Sequence, residues 1–286
     1  MTYLDAMDAK TAFISPEAAR GKGAELQAAY VDASPFPHVV IDDFLPPELA
    51  DRILGHFASS RGGGDLNMSY DRAQERFKSS YHPDTLAPEL RAIFYAFNSR
   101  PFLQIVENLT GIKGLIPDPY FFGGGLHEIR QGGHLSIHAD FNHHMPLDLE
   151  RRINLLIYLN KDWKDEYGGQ LELWDTAMTK RHHSIVPAFN RCVIFNTTSK
   201  SMHGNPQPVS HPGNVSRKSV ALYYYTATWD GSKRSHTTQF KVRPNSGDEQ
   251  DWTIRLREWR QDLLPPVVNR QMGNIVRRFR KVRSNA

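Results

Sequence analysis

Residues 134–144 of this chain carry four of its thirteen histidines and one aspartate within eleven positions. Among them, His138 and Asp140 are two positions apart, so in a β-strand both side chains project to the same face. One imidazole and one carboxylate do not form a metal site by themselves. His203 follows 63 positions after Asp140, just beyond a strand-like run at residues 192–196. We therefore predict a metal site made by His138, Asp140 and His203.

Two histidines and one carboxylate leave three metal positions open, which is the ligand set of non-haem Fe(II) oxygenases. A rival pair is His134 and His138, whose i,i+4 spacing suits zinc if the stretch is helical. However, two glycines precede His134, no glutamate stands between the histidines to act as a base, and the surrounding pattern is that of a strand. The sequence therefore favours the strand and the three-ligand site.

A second group of candidate residues begins the apolar strand at residues 219–226. Arg217 and Ser219 are two positions apart and therefore share a face of it. A guanidinium facing the inside of a barrel is costly unless an anion neutralises it, and a carboxylate suits its planar fork. That carboxylate can belong to a ligand or to an acidic residue of the chain, and the pair alone favours the internal ion pair.

These candidate residues lie in a part of the chain with a β texture. From about residue 117, short apolar or alternating runs are separated by Gly, Pro and Asn, which is typical of an antiparallel sandwich or barrel. The predicted strands are residues 120–122, 126–130, 135–139, 153–160, 170–174, 183–186, 192–196 and 219–226. Eight short strands fit a double-sheet jelly roll whose mouth can hold a small ligand.

Helical segments flank this β region on both sides. In the first 116 residues we predict a strand at 36–44 and helices that begin at Pro46-Pro47, at residue 87 and at residue 101. Residues 1–30 have a helical tendency that breaks at Gly21 and Gly23, and we predict that they form an appendage.

The chain ends with helix-like segments at 252–264 and 269–281. Because no low-complexity linker divides the parts, we predict one α+β domain over residues 1–286. Its boundaries are helical support at 1–116, a mainly β core at 117–245, and C-terminal helices with a basic tail at 246–286.

Composition excludes several classes of protein. The net charge is 35 − 31 = +4, and the excess is concentrated in a tail that contains Arg277, Arg278, Arg280, Lys281 and Arg283. No glycine-arginine repeats accompany these charges, so we expect no nucleic-acid partner. Cys192 is the single cysteine, which rules out an intrachain disulfide and fits a reducing cytoplasm. The longest apolar run, residues 153–159, is too short to span a bilayer, so we expect a cytoplasmic protein without a membrane partner.

The order and spacing of these motifs resemble the Fe(II)- and 2-oxoglutarate-dependent dioxygenases, specifically their prolyl 4-hydroxylase-like branch. The similarity extends over residues 36–228. It is carried by the motif Gly132-x-x-Leu135-x-x-His138-x-Asp140, by His203, by Arg217-x-Ser219, and by the segments 36–44, 152–160, 168–174, 187–195 and 217–225.

The resemblance implies a double-stranded β-helix, a jelly-roll fold like that of cupins, with the iron ligands His138, Asp140 and His203. It implies the co-substrates 2-oxoglutarate and O₂, with ascorbate as reductant, and a reaction that yields succinate and CO₂ while a C–H bond is hydroxylated. It also implies that Arg217 binds the distal carboxylate of 2-oxoglutarate, with help from Tyr158 and Ser219. Asp140 occupies the place that a small residue takes in halogenating relatives, so hydroxylation is expected, with desaturation or ring closure as alternative outcomes.

One departure from the family pattern is visible, because Glu128-Ile129-Arg130 stands where many relatives have a tyrosine. The substrate is not identified by the resemblance, which covers amino acids, peptidyl residues and small metabolites. The loop after the metal pair should border the mouth, so its polar residues are candidate substrate contacts: Asn142, His143, His144 and Arg151.

Two other classes of function stay open at this stage. One is a metal-dependent hydrolase on a jelly-roll fold, although a base beside the metal pair is not evident. The other is a non-catalytic binding module that uses the basic C-terminal tail. The segment before residue 30 and the helices after residue 250 are candidates for a barrel cap, a homodimer contact or a partner surface.

Overall fold

The computed structural model describes residues 2–60, 64–230 and 232–248, with the backbone alone at residues 58 and 59. The described residues all belong to one unit, Met1–Asp248. The predicted C-terminal helices and the basic tail therefore lie outside the described residues, as does most of the predicted segment 246–286.

The described α-helices lie between residues 16 and 110, and three strands of the sheet lie among them. The helices are α1 (Pro16–Ala19), α2 (Gln27–Val31), α3 (Pro47–Gly55), α4 (Phe57–Ser60), α5 (Pro88–Phe97) and α6 (Arg100–Thr110). Proline opens α3 and α5, where its missing N–H is not needed. Gly111, with a φ of 74°, ends α6 in the left-handed conformation. No described helix is long and apolar enough to cross a membrane, and the cytoplasmic location stays a prediction.

The strands follow a mainly antiparallel pattern. They are β1 (His38–Ile41), β2 (Met68–Arg72), β3 (Glu75–Tyr81), β4 (Ile116–Pro117), β5 (Gly125–Ala139), β6 (His143–His144), β7 (Leu149–Tyr158), β8 (Leu171–Trp174), β9 (Arg181–Ile185), β10 (Arg191–Asn196), β11 (Met202–Asn205), β12 (Arg217–Thr226) and β13 (Gln239–Phe240). The main path of the sheet runs β1-β10-β7-β12-β5-β11-β8-β9. A mainly β core flanked by helices is the predicted class.

Strand β5 connects the two sides of this curled sheet. Its first part pairs with β12 and its last part pairs with β11. The sequence predicted two strands here, at 126–130 and 135–139, but the structure has one strand of 15 residues. Gly132, with a φ of 74°, lies between the two predicted pieces, and its left-handed conformation lets the chain bend without ending the strand.

Other local predictions were also wrong. Residues 120–122 form a turn rather than a strand, because the Asp118 carboxylate accepts the backbone N–H groups of Tyr120 and Phe122 at 2.8 and 2.7 Å. The β2–β3 hairpin and β11 were missed. The hairpin is predominantly polar and β11 is four residues long, so neither shows a clear apolar alternation.

The N-terminal segment is part of the core and not an appendage. Leu4, Met7, Ile14 and Tyr30 are buried against the helices. The Tyr30 hydroxyl also donates a hydrogen bond of 2.6 Å to the Asn196 side chain at the end of β10. The sequence showed no sign of these contacts. The segment is polar and Ala-rich, and its few apolar residues do not follow a helical period.

The hydrophobic core determines which residues face the interior of the barrel. On β7, the side chains of Ile153, Leu155 and Ile157 join the core beneath α5 and α6. The alternate positions, Asn154 and Tyr158, therefore project to the opposite face. That face contains the polar residues of the site.

Candidate metal and co-substrate site

The structure brings His138, Asp140 and His203 together, and we call them the metal trio. His138 on β5 and His203 on β11 are direct partners in the sheet register. The His138 Nε2 lies 3.5 Å from Asp140 Oδ1, and the His203 Nε2 lies 3.3 Å from Asp140 Oδ2. One ligand atom from each residue lies within 4.8 Å of the other two. All three can therefore contact one ion.

The backbone fixes the orientation of both imidazoles. The His138 Nδ1 donates to the Ser136 carbonyl at 2.8 Å, and the His203 Nδ1 donates to the Ser201 carbonyl at 2.9 Å. Each ring therefore directs a free Nε2 lone pair toward the trio. Burial lowers the pKa of His203 despite the opposing effect of the Asp140 carboxylate, so the neutral, metal-binding form is favoured.

Two side chains from β7 hold the Asp140 carboxylate. The Arg151 Nη2 donates to Asp140 Oδ2 at 3.1 Å, and the Asn154 Nδ2 donates to the same oxygen at 2.7 Å. Arg151 also donates to the Asn154 Oδ1 at 2.5 Å. Burial acts to raise the pKa of Asp140, but Arg151 and His203 outweigh it and hold the pKa well below its usual range. The carboxylate is thus charged and fixed.

Arg151 was predicted as a substrate contact, and the structure gives it another set of partners. Its side chain is 1% exposed. The guanidinium lies between the rings of Phe141 and Tyr223, at 4.3 and 3.7 Å from their centroids. With Asp140 and Asn154 as polar partners, Arg151 supports the metal trio.

The metal trio borders a cavity of about 90 Å³, which we call the inner cavity. Its walls come from paired strands. They comprise Lys78, His127, Ile129, Leu135, His138, Asp140, Asn154, Leu156, Leu171, His203, Gly204, Asn205, Arg217, Ser219 and Tyr223. The predicted residues Arg217 and Ser219 therefore share this cavity with the trio.

Arg217 is buried and lacks an acidic partner. Its Nε donates to the Gly169 carbonyl at 2.7 Å, and its guanidinium carbon lies 4.8 Å from the centre of the Tyr158 ring. Within residues 2–60, 64–230 and 232–248, no carboxylate forms an ion pair with Arg217. Burial lowers the pKa of Arg217, since the charged form has lost its water. The internal ion pair that the sequence left open is therefore not formed by the described residues.

A buried hydroxyl next to Arg217 also lacks a partner. The Tyr158 Oη is buried and makes no hydrogen bond within the described structure. Gly169 allows the close approach of Arg217, because a Cβ there would lie 2.9 Å from the Arg217 Cδ. A buried guanidinium without an acidic partner, beside a buried hydroxyl, is a suitable environment for a carboxylate.

Residues 128–130 are the place where the chain departs from the family pattern, and the Glu128 charge there does not face the inner cavity. The Glu128 carboxylate accepts hydrogen bonds from the hydroxyls of Tyr81, at 2.8 Å, and Ser216, at 2.5 Å. Its neighbours His127 and Ile129 line the cavity instead. Burial, and then the nearby Lys78, lower the pKa of His127 well below its usual value, so a neutral imidazole faces this space.

Three predicted substrate contacts, Asn142, His143 and His144, do not line the inner cavity or the larger cavity beside it. Asn142 bonds to the backbone at Arg234 and His236. His143 bonds to Asp148 at 2.9 Å, and His144 is buried, with its Nε2 3.4 Å from Asp118. The reason is that β6, which contains both histidines, folds back onto β7. Their contact with substrate stays a prediction.

A larger opening of about 460 Å³ borders the other side of His138 and Asp140, and we call it the outer cavity. The β2–β3 hairpin supplies one wall. The turn at residues 120–124 supplies another, and the remaining lining residues are Leu66, His82, Leu135, His138, Asp140, Phe141, Arg151, Tyr223, Thr238 and Phe240. This opening gives a small molecule a path to the metal trio.

Sequence reasoning missed several residues of these cavities. Asn154 had a detectable signal, because it shares the inward face of its strand with Tyr158. Lys78 and His127 had none, since the hairpin was not predicted and His127 stands outside every motif. Lys78 borders both cavities.

Residues 124–225 match the family model of the 2OG-Fe(II) oxygenase superfamily. The matched segment contains the metal trio and Arg217. By this match, residues 124–225 belong to the 2OG-Fe(II) oxygenase superfamily. No curated protein matches it in sequence.

The fold of this oxygenase is similar to two solved structures. One is a prolyl hydroxylase in complex with a hypoxia inducible factor oxygen degradation domain peptide fragment from Trichoplax adhaerens, with a TM-score of 0.53, 17% identity, and coverage of 74% of this chain and 92% of that chain. The other comes from work on prolyl 4-hydroxylases from Phytophthora capsici, with a TM-score of 0.51, 19% identity, and coverage of 85% and 75%. These likenesses confirm the predicted double-stranded β-helix.

The residues present fit the cofactors of the superfamily, which are Fe(II), 2-oxoglutarate and O₂. Two imidazole nitrogens and one carboxylate oxygen form the ligand set that suits a non-haem Fe(II) ion. The unpaired Arg217 suits the anionic co-substrate. The use of ascorbate as a reductant stays a prediction.

Proposed function

We propose that this oxygenase hydroxylates an unactivated C–H bond of an amino acid, a peptidyl residue or a small metabolite, with decarboxylation of 2-oxoglutarate to succinate and CO₂. In this proposal the metal trio holds the iron. Arg217 binds the distal carboxylate of 2-oxoglutarate, and Tyr158 and Ser219 contribute hydroxyl hydrogen bonds.

The observation that carries the proposal is the shared inner cavity. The metal trio and Arg217 line one small space, although 77 residues separate Asp140 from Arg217 in the chain. If Arg217 had only a structural role, we would expect it to pair with a carboxylate of the chain. No acidic residue among the described residues does so. A dicarboxylate that reaches from the trio to Arg217 accounts for both features.

The metal supplies the redox chemistry: when bound, Fe(II) with 2-oxoglutarate and O₂ oxidises a nearby C–H bond. The chain itself binds and orients. Arg151 and Asn154 hold Asp140 through one oxygen, so that Oδ1 stays available to the metal. Ser136 and Ser201 fix the imidazoles through their carbonyls. These contacts keep the ligands in place before any substrate binds.

The substrate would enter through the outer cavity. That cavity borders His138 and Asp140, whereas the inner cavity would be occupied by 2-oxoglutarate. Strand side chains that enclose the inner cavity also limit water near the metal. In this proposal the inner cavity binds the co-substrate and the outer cavity binds the substrate.

The test is the production of succinate from 2-oxoglutarate by purified protein with Fe(II), ascorbate and O₂. We expect succinate to form in the presence of O₂ and not to form under anaerobic conditions. A basal, uncoupled turnover is enough for this measurement, so the substrate need not be known. Absence of both 2-oxoglutarate binding and succinate formation would contradict the proposal.

The same measurement separates the alternatives that the sequence left open. A metal-dependent hydrolase would keep its activity without O₂. A binding module would form no succinate, and its salt-sensitive binding to nucleic acid would depend on residues 276–286. The homodimer and the absence of a nucleic-acid partner stay predictions.

A further inference from the structure

The outer cavity has an apolar rim that faces solvent. Leu66, Met68, Tyr120 and Phe122 are each more than half exposed and all line this one cavity. Exposed apolar side chains gathered around an opening indicate a binding surface, whereas single exposed residues are ordinary. Deeper in, Phe141, Tyr223 and Phe240 add aromatic walls near the metal trio. The cavity therefore suits a ligand with an apolar body.

The size of the cavity limits what can be enclosed. A volume of about 460 Å³ is in the range of small-molecule sites. Aromatic walls favour a flat or unbranched apolar body that can lie against ring faces. A small molecule, and not a folded domain, is the matching class of ligand.

The hairpin wall carries an unbalanced charge. Arg72 and Lys78 share one carboxylate, that of Glu75, with N–O distances of 2.7 and 2.9 Å. Burial acts to raise the pKa of Glu75, but Lys78 and Arg72 outweigh it and lower the pKa, so the carboxylate is charged. Two positive groups thus face one negative group on the hairpin.

The remaining charges of the outer cavity do not cancel this excess. Among its described lining residues, Asp140 and Arg151 neutralise one another, which leaves a balance of two positive and one negative, or +1. Bound Fe(II) and the 2-oxoglutarate dianion would add charges of +2 and −2 and leave that balance unchanged.

Lys78 is the deeper of the two cations. Its side chain is 13% exposed, and among the described residues Glu75 is the acceptor of its ammonium group. An ammonium group has three donors and is costly to bury with incomplete pairing. The Arg72 guanidinium lies 5.4 Å from the centre of the Phe240 ring, so charge and aromatic surface are adjacent on this wall.

From these observations we infer that the substrate is a small organic acid: an apolar or aromatic body whose carboxylate binds the Arg72 and Lys78 wall. This inference rests on the proposed function for the position of the reacting bond. The carboxylate would be anchored at the hairpin, and the body would extend over the aromatic walls toward the metal trio. The positive charges of Arg72 and Lys78 would favour an anionic substrate over a neutral one.

The test compares carboxylates with amides of the same shape. The probes are 3-phenylpropanoate, 2-naphthylacetate and hexanoate, each paired with its primary amide. The protein is loaded with Mn(II) and saturated with 2-oxoglutarate, so that Arg217 is already occupied. Paramagnetic relaxation of the probe protons in NMR then reports binding close to the metal. We expect at least one carboxylate to bind about tenfold or more tightly than its amide.

Variants of the hairpin residues test whether the hairpin causes the preference for carboxylates over amides. Substituting Arg72→Gln together with Lys78→Met should bring the carboxylate-to-amide ratio close to one, and Glu75→Gln should raise it. The matched control is Arg181→Gln, because Arg181 also bonds a buried glutamate, Glu172 at 2.9 Å, and is similarly exposed, at 47% against 45% for Arg72. Circular dichroism and thermal unfolding check the folding of every variant.

Two results would overturn the inference. One is that no carboxylate in the series binds more tightly than its amide. The other is that the preference survives in the double variant. Failure of the proposed function is distinguishable, because it would appear first, as an absence of 2-oxoglutarate binding to the Mn(II)-loaded protein.

Discussion

The inner and outer cavities meet at His138 and Asp140 but are built from different parts of the chain. The inner cavity is enclosed mainly by long paired strands, β5, β7 and β12. The outer cavity is bordered by a hairpin, a turn and short segments near residue 240. Paired strands fix side chains in register, whereas loops tolerate change. Under the proposed function, the metal and co-substrate contacts therefore come from the central strands, and the contacts that would select the substrate come from the hairpin, the turn and the segment near residue 240.

Two buried arginines express the same contrast. Arg151 is neutralised within the chain by Asp140. Arg217 has no acidic partner among the described residues and faces the inner cavity. The first arginine therefore stabilises the Asp140 carboxylate, and the second is the candidate partner of a bound anion. Sequence alone could not distinguish them, since both begin or occupy apolar strands.

The largest effect should come from removing a metal ligand. His138→Ala should lower the affinity for Mn(II) or Fe(II) by more than about 100-fold, because even the supporting contacts of a ligand contribute 10–100-fold. Equilibrium dialysis with metal analysis measures this. The matched control is His134→Ala on the same strand, whose ring bonds to the Ala73 carbonyl and not to the trio. Equal losses in the two variants would contradict the assignment.

The next effect concerns the co-substrate. Arg217→Met should weaken 2-oxoglutarate binding by about 10- to 100-fold, since a hydrogen bond to a charged group contributes roughly 1.5–3 kcal/mol. Metal affinity should change little. Calorimetric titration of the Mn(II)-loaded protein separates the two quantities. Arg191→Met is the control, because Arg191 pairs with Asp42 outside the inner cavity. Normal 2-oxoglutarate affinity in Arg217→Met would show that the anchor lies elsewhere.

A third prediction tests whether Arg151 belongs to the inner or the outer side. Arg151→Met should reduce metal affinity by about 10-fold or more, as expected for a contact that orients a ligand. Arg152→Met is the matched control, because the adjacent arginine bonds to Thr226 at 3.3 Å. If metal affinity is unchanged and only substrate binding suffers, the earlier prediction of Arg151 as a substrate contact is the better one.

The smallest effect is expected on the outer side. Arg72→Gln should leave the affinities for metal and 2-oxoglutarate within about twofold, because a partly exposed ion pair contributes little. The same titrations measure both. A large loss of 2-oxoglutarate affinity would show that the hairpin belongs to the co-substrate site and would remove the distinction between the two cavities.

The local signals in the sequence identified most of the sheet. Apolar runs and turn residues predicted the strands that became β7, β10 and β12, because each contributes regularly spaced apolar side chains to the core. Proline and glycine marked the ends of α3, α5 and α6. The β2–β3 hairpin escaped prediction, since its side chains border a cavity instead of a packed core and so carry polar residues on both faces.

The sequence by itself indicated a jelly roll, from the number and spacing of its short strands, and the resemblance implied a double-stranded β-helix. It also placed His138 and Asp140 on one face, because side chains alternate with a period of two along a strand. Tertiary structure alone decided the rest. The sheet register placed His203 beside His138, the fold-back of β6 drew His143 and His144 away from the cavities, and burial joined Arg151 to Asp140. These outcomes depend on contacts between residues far apart in the chain, which no local period encodes.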